Sequence, residues 1–136
     1  MRLTSLADYA VVMMAAAARH PAGARLSATV LAEETGVPLP TAQKLTGRLA
    51  GAGLLATARG TGGGFRLARA AGEISLADIV EAVEGPIEMT SCLDAERHVC
   101  ALESCCQVRP HMNVVNGAVR GALANLSLSS LAEVKA

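Results

Sequence analysis

Apolar residues recur along this chain, and their spacing divides it into short helices with one pair of strands among them. Tyr9, Val11, Val12, Met13 and Met14, followed by four alanines, predict a largely buried helix from Ser5 to about Arg19. Ser5 is the expected cap, with Asp8 three positions on as a capping-box-like partner. His20-Pro21-Ala22-Gly23 ends the helix. Ser27 then caps a short helix to about Thr35, with Val30 and Leu31 turned inward, and Gly36 breaks it. A second short helix is expected from about Pro40 to Ala50. Its apolar positions Ala42, Leu45 and Leu49 recur at helical spacing and leave Thr41, Gln43, Lys44 and Arg48 on the outer face. Helix, glycine-containing turn and second helix with a polar outer face form the helix-turn-helix pattern.

Leu54–Ala58 reads as a strand, Gly60-Thr61-Gly62-Gly63-Gly64 as a turn and Phe65-Arg66-Leu67 as a returning strand, so a hairpin directly follows the second helix, as a wing does. Ser75, with Asp78 three residues later, starts another helix that runs to about Val83 and ends at Gly85-Pro86. Residues 86–109 are irregular and rich in cysteine. From about Pro110, Met112, Val115, Val119, Leu123 and Leu126 form a stripe that nothing else in the chain is obviously left to cover, which suggests a helix pairing with a second subunit. A short final helix is expected near Ser130–Val134. The expected fold is mainly α with a small β-hairpin, a winged helix-turn-helix followed by a long C-terminal dimerisation helix. Residues 1–85 form the winged domain, 86–109 a cysteine-rich loop, and 110–136 the dimerisation helix and tail.

At 136 residues and 51% hydrophobic content the chain can bury one core, but with one Tyr and one Phe that core is built from Ala, Leu and Val. Tyr9 and Phe65 are expected inside it, and the scarcity of aromatics argues against single-stranded nucleic acid, which is held by base stacking. No uncharged apolar run reaches the roughly 18 residues of a membrane span, and Met1-Arg2-Leu3-Thr4 does not resemble a signal peptide. A cytoplasmic protein with reduced thiols is the expectation. The net charge of zero conceals an asymmetry: residues 1–72 carry eight Lys/Arg against three Asp/Glu, and residues 73–136 carry four against nine. A basic N-terminal half is what a phosphate-binding surface requires, although ordinary solvated charge has the same composition.

The major groove of duplex DNA admits one α-helix, and the outer face here has suitable chemistry: Gln43 can pair with adenine, and Lys44 and Arg48 with guanine or phosphate. By themselves, four polar residues equally describe a solvated face; the wing shifts the balance. Arg59 stands at the hairpin tip beside four glycines, which permit positive φ and leave no side chains to hold the tip away from a sugar–phosphate wall. An arginine so placed can enter a narrow minor groove, where the potential is most negative.

Cys92, Cys100, Cys105 and Cys106 are separated by seven, four and zero residues. Iron–sulfur clusters use cysteine thiolates at widely varying spacing, whereas structural zinc normally shows paired hooks, which are absent here. An iron–sulfur cluster, zinc, a thiol redox switch and inert cysteines all remain open on spacing alone. Two adjacent cysteines strain to ligate one iron, which leaves one of Cys105 and Cys106 spare.

The Met1-Arg2-Leu3-Thr4-Ser5 start, the Asp8-Tyr9-Ala10 segment, the Arg59-Gly60-Thr61-Gly62-Gly63-Gly64-Phe65 wing and the cysteine segment together resemble the IscR/NsrR family of winged-helix regulators, over about residues 1–134. The wing and N-terminal signature are specific; the helices are not. The resemblance implies a homodimeric, sequence-specific regulator, with long C-terminal helices crossing between subunits and recognition helices in successive major grooves of a pseudo-palindrome. It implies DNA contacts from Arg2, Thr41, Gln43, Lys44, Arg48, Arg59, Gly62 and Gly63. It also implies an iron–sulfur cofactor, [2Fe-2S] ahead of [4Fe-4S], on Cys92, Cys100 and Cys106, because the interval between the last two matches that of the family ligands. Within the family, the compact chain most resembles repressors of cluster-assembly operons. Three departures stand out. Gln43 replaces a glutamate that helps IscR choose between promoter classes, the interval from Cys92 to Cys100 is longer than in IscR, and Arg109 occupies the place of the IscR histidine ligand. Asp8 sits where NsrR members supply an aspartate from the partner subunit and is the expected fourth ligand, with His111 as the alternative and His98 behind it. A zinc-stabilised adaptor or a thiol-redox regulator is the rival reading. No nucleotide loop, C-x-x-C motif or Ser/His/Asp set supports an enzyme.

Overall fold

In the computed structural model, residues 2–58, 63–89 and 107–133 are described. The elements run α1 (Ser5–Arg19), α2 (Ala28–Thr35), α3 (Leu39–Gly51), β1 (Leu55–Thr57), β2 (Phe65–Leu67), a 3-10 turn at Ala71–Glu73, α4 (Leu76–Glu84), α5 (Arg109–Ala124) and α6 (Leu128–Ala132). The expected order of helices and hairpin is present, with differences at the edges that have physical causes.

The cap of α1 is Thr4, one residue before the expected Ser5: its Oγ1 accepts from the Ala7 amide. Asp8 therefore lies one position too late for a capping box and stays exposed, where its charge still suits a helix N-terminus. The buried stripe of α1 is Ala7, Ala10, Met13, Met14 and Ala17. Tyr9 stands about 100° around the helix from Ala10, so it is 37% exposed and not in the core as expected, whereas Phe65 is buried. Val30 is likewise turned outward, because the inward position of α2 is Leu31 alone. Ser27 caps α2 as expected, and Ser75 and Asp78 form a complete capping box on α4.

Met13 and Met14 of α1, Leu31 of α2, Leu45 and Leu49 of α3, Leu54, Ile74 and Ile79 are fully buried in one core that also takes in Leu128 of α6. The last helix docks because Leu128 donates its N–H to Ile74 O at 2.7 Å and Leu76 donates to Leu126 O at 2.9 Å. This pairing shifts α6 two residues ahead of the expected position. The long helix α5 has no fully buried residue.

β1 and β2 pair antiparallel, Leu55 with Leu67 and Thr57 with Phe65. A third segment joins them: Leu26 donates its N–H to Phe65 O at 2.7 Å and accepts from Phe65 N at 2.8 Å. Gly64, at φ +99°, makes this approach possible, since a Cβ there would sit 2.5 Å from Leu26 O. Gly53 has a similar φ of +81° but open space around it. Gly64→Ala should therefore destabilise the fold by roughly 3 kcal/mol, combining left-handed strain with a backbone clash, and Gly53→Ala by only about 1 kcal/mol. Urea titrations of both variants against the parent protein measure the difference.

Candidate nucleic-acid interface

The α2–α3 turn is built from three local devices. Gly36 closes α2 in the left-handed conformation at φ 82°, donating to Ala32 O. The Thr35 hydroxyl donates to Leu31 O at 2.6 Å and accepts from Val37 N at 3.2 Å, and the Val37 side chain is buried. Pro38 then enters α3, with Pro40 in its first turn and no side-chain cap. No acidic residue lies in that turn, so the positive end of the helix is left for an external anion.

Burial of Ala42, Leu45 and Leu49 sets the rotation of α3 and puts Gln43 and Lys44 fully outward. Thr41 is half-buried on the flank. Arg48 is exposed as expected but also makes a contact that spacing did not foretell: Nη1 donates to Val83 O, at the end of α4, at 3.0 Å. Arg48 thus fastens the C-terminal end of α3 as well as contributing charge beside the reading face.

The wing is closed by Ala58 N donating to Gly64 O at 2.8 Å, with Gly63 at φ +53° beside it. Arg59 and Gly62, expected at its tip, lie outside the described residues. Two further bases belong to this surface and were not singled out from sequence. Arg66 points outward between buried Phe65 and half-buried Leu67, a position that strand alternation does reveal. The Arg25 side chain packs beside Gly64, through the Leu26 bridge, which no sequence pattern announces. From Thr35 to Gly72 the chain contains no Asp or Glu and has five bases, Lys44, Arg48, Arg59, Arg66 and Arg69. Of these, Arg69 faces Asp78 at 3.9 Å.

Arg2 is placed elsewhere, on a groove of about 560 Å³ between α4, residues 85–89 and α5, with Leu3, Val80, Met89, Val119 and Leu123 among its lining. Nearby, Thr4 donates its N–H and its hydroxyl to Glu84 Oε1. One turn earlier in α4, Arg120 of α5 clasps Glu81 through Nε and Nη2, at 3.0 and 2.7 Å. The hydrogen bond and the charge of Glu81 push the Arg120 guanidinium above its already high range. His111 is exposed in the first turn of α5. Cys92, Cys100, Cys105, Cys106 and His98 lie outside the described residues, and among the described residues no three His, Cys, Asp or Glu gather as a metal site. No helix among the described residues is long and apolar enough to cross a membrane.

A helix-turn-helix with an outward polar helix, continued into a basic two-stranded wing, defines a winged helix-turn-helix regulator. A family profile described as Rrf2, iron-dependent transcriptional regulator, matches residues 3–134, and the chain belongs to that family. The regulator IscR of Photorhabdus laumondii is 31% identical over 131 residues, 96% of this chain and 79% of its own length. The IscR of Photobacterium profundum is 37% identical over 92 residues, 68% of this chain and 54% of the relative, so this match spans about half the relative's length. The Staphylococcus aureus CymR structure in its oxidized form superposes with a TM-score of 0.72 at 28% identity, covering 100% of this chain and 99% of that one. The family and its matched members are transcriptional regulators, not enzymes.

The two basic residues of α3 separate experimentally. Arg48→Ala should lower stability by about 1 kcal/mol through loss of its bond to the Val83 carbonyl. Lys44→Ala should stay within roughly 0.5 kcal/mol of the parent. Thermal unfolding of the DNA-free protein checks both.

Proposed function

We propose that this chain is a cytoplasmic, homodimeric repressor that reads a pseudo-palindromic operator in duplex DNA and responds to the state of its cysteine segment, with iron–sulfur cluster assembly genes as its targets. The observation that carries the DNA half is the uninterrupted basic stretch from Thr35 to Gly72, which contains both the outward face of α3 and the wing. Gln43 and Lys44 read base edges, Thr41 and the free end of α3 meet phosphates, and Arg59 with Gly62 and Gly63 brings the wing to the minor groove. Arg48 contributes charge from the flank. Arg66 and Arg25 add phosphate contacts at the wing base. Arg2, which lines the groove beside α4, adds a further DNA contact from the N-terminal segment.

Pairing of subunits through α5 is supported by exposed apolar residues, Val114 and Val115 on the helix and Val108 just before it, with Val114 72% exposed. The reading divides the chain into the winged domain to residue 85, the cysteine segment to 109 and the dimerisation helix beyond.

The donor chemistry of four cysteines suits an iron–sulfur group held by Cys92, Cys100 and Cys106, and the iron dependence in the family description supports it. Bound there, the group, read as [2Fe-2S], supplies lability to oxygen, nitric oxide or iron shortage. Asp8 and His111 are both exposed and open to serve as the fourth ligand, Asp8 from the opposite subunit. A thiol-redox regulator is the second reading, favoured by the whole-length likeness to a CymR structure in an oxidized form and by the adjacent Cys105 and Cys106.

Lys44→Ala and Arg59→Ala should each weaken binding to an operator duplex by roughly 1–3 kcal/mol, and binding should fall steeply with added salt. Fluorescence anisotropy over a salt series measures this; affinity indifferent to salt and to both substitutions sinks the DNA reading. Protein purified without oxygen should carry iron and sulfide and absorb in the visible, and Cys106→Ala should lose both. Iron-free protein with a reversible disulfide selects the thiol reading instead.

A further inference from the structure

The last turn of α4 and the five residues after it are tied by polar contacts to α3, to α5 and to Thr4 at the start of α1. Asn116, on the half-buried face of α5, makes two of them: its Oδ1 accepts from Met89 N at 2.9 Å and its Nδ2 donates to Ile87 O at 2.9 Å. A side-chain amide so used copies one rung of a sheet and fixes the course of residues 87–89. Glu81 adds a third tie, accepting from Ile87 N at 3.1 Å through Oε2 while its Oε1 holds Arg120. One turn further along α4, Val83 O accepts from Arg48 of α3 and Glu84 accepts from Thr4.

Cys92 follows Met89 by three residues. A change in the course of the chain at Cys92 therefore meets the Asn116 clamp first. Beyond the clamp, Glu81 and α4 lead to Arg48 and hence to the base-reading helix. We propose that Asn116 is the positioning residue through which the state of the cysteine segment reaches α3. This inference rests on reading that segment as the sensor. In this reading Asn116 acts through the backbone of residues 87–89 and is neither a base-reading residue nor a cluster ligand. Its amide offers a donor and an acceptor to two backbone groups of opposite demand, which neither a carboxylate nor an aliphatic side chain can do. Without the clamp, the Glu81 bond at Ile87 N remains of these three ties, and Met89 is no longer held in register with Ile87 for motion beyond it to be passed on through Glu81 to α4.

The test uses the full chain and a duplex selected by the wild-type protein from a random pool. Affinity is measured for protein kept anaerobic and for protein exposed to air and EDTA. The wild type should differ between the two states by roughly fivefold or more. Asn116→Ala should bring that ratio close to one while keeping the iron content of the anaerobic protein, and hydrogen exchange at Met89 should accelerate. Asn116→Asp keeps the acceptor for Met89 N but sets an oxygen against Ile87 O, so it should give an intermediate ratio with Met89 still protected; it also serves if the alanine variant melts early. An Asn116→Ala protein with the wild-type ratio, or with unchanged Met89 exchange, overturns the inference and leaves the sensor reading standing. A wild type with equal affinity in both states removes the sensor reading and the inference with it.

Discussion

The direction in which α3 points is decided by burial, not by anything on its outer face. Taking Leu45 and Leu49 out of water is worth roughly 1.5–3 kcal/mol each, and both are completely enclosed with Met13, Met14, Ile79 and Val83 as core neighbours. Rotating α3 by one residue would turn these leucines toward solvent and bury Lys44 or Thr46 in their place. No exposed polar contact on the helix is large enough to compensate. Gln43 and Lys44 are therefore presented to solvent by the packing of the core itself.

The same constraint explains what could be read in the sequence and what could not. Helical spacing of Ala42, Leu45 and Leu49 reports directly which face of α3 is buried, so Gln43 and Lys44 were legible. The Ser75–Asp78 capping box was legible because cap and partner are local. Tyr9 lies outside the expected core because helical phase prevails over aromatic character: the phase of Ala7, Ala10, Met14 and Ala17 turns it outward. The placement of Arg25 and Arg2 and the second role of Arg48 were invisible for a different reason. Each depends on a contact across the chain, with Gly64, the α4–α5 groove and Val83 respectively. Local pattern carries the faces of elements, and long-range pairing carries the joints between them.

With so few aromatics, the core is filled by side chains that bring helices close but hold little orientation by shape. Seven buried residues of α1 include five alanines. Directional contacts at the edges supply what shape does not. Arg48 on Val83 O, Thr4 on Glu84, Arg120 on Glu81 and Asn116 on residues 87–89 all converge on the end of one helix. Hydrogen bonds of this kind contribute only about 1 kcal/mol each to stability, but they fix the angles between the elements they join.

The wing and the recognition helix, in contrast, share backbone. Leu26, just before α2, is hydrogen-bonded in both directions to Phe65 of β2, and Gly64 allows the two chains to touch. A wing attached in that way cannot swing relative to α2 and α3 without breaking paired backbone hydrogen bonds next to a buried phenylalanine. Adjustable geometry must then lie outside the winged unit, where α5 has no fully buried residue and is joined to α4 by a groove and a handful of polar contacts. In the proposed dimer, a response would alter the spacing of two rigid winged units and leave each unit's chemistry unchanged. That response should therefore scale the affinity for a whole operator while preserving the preference for bases within each half-site.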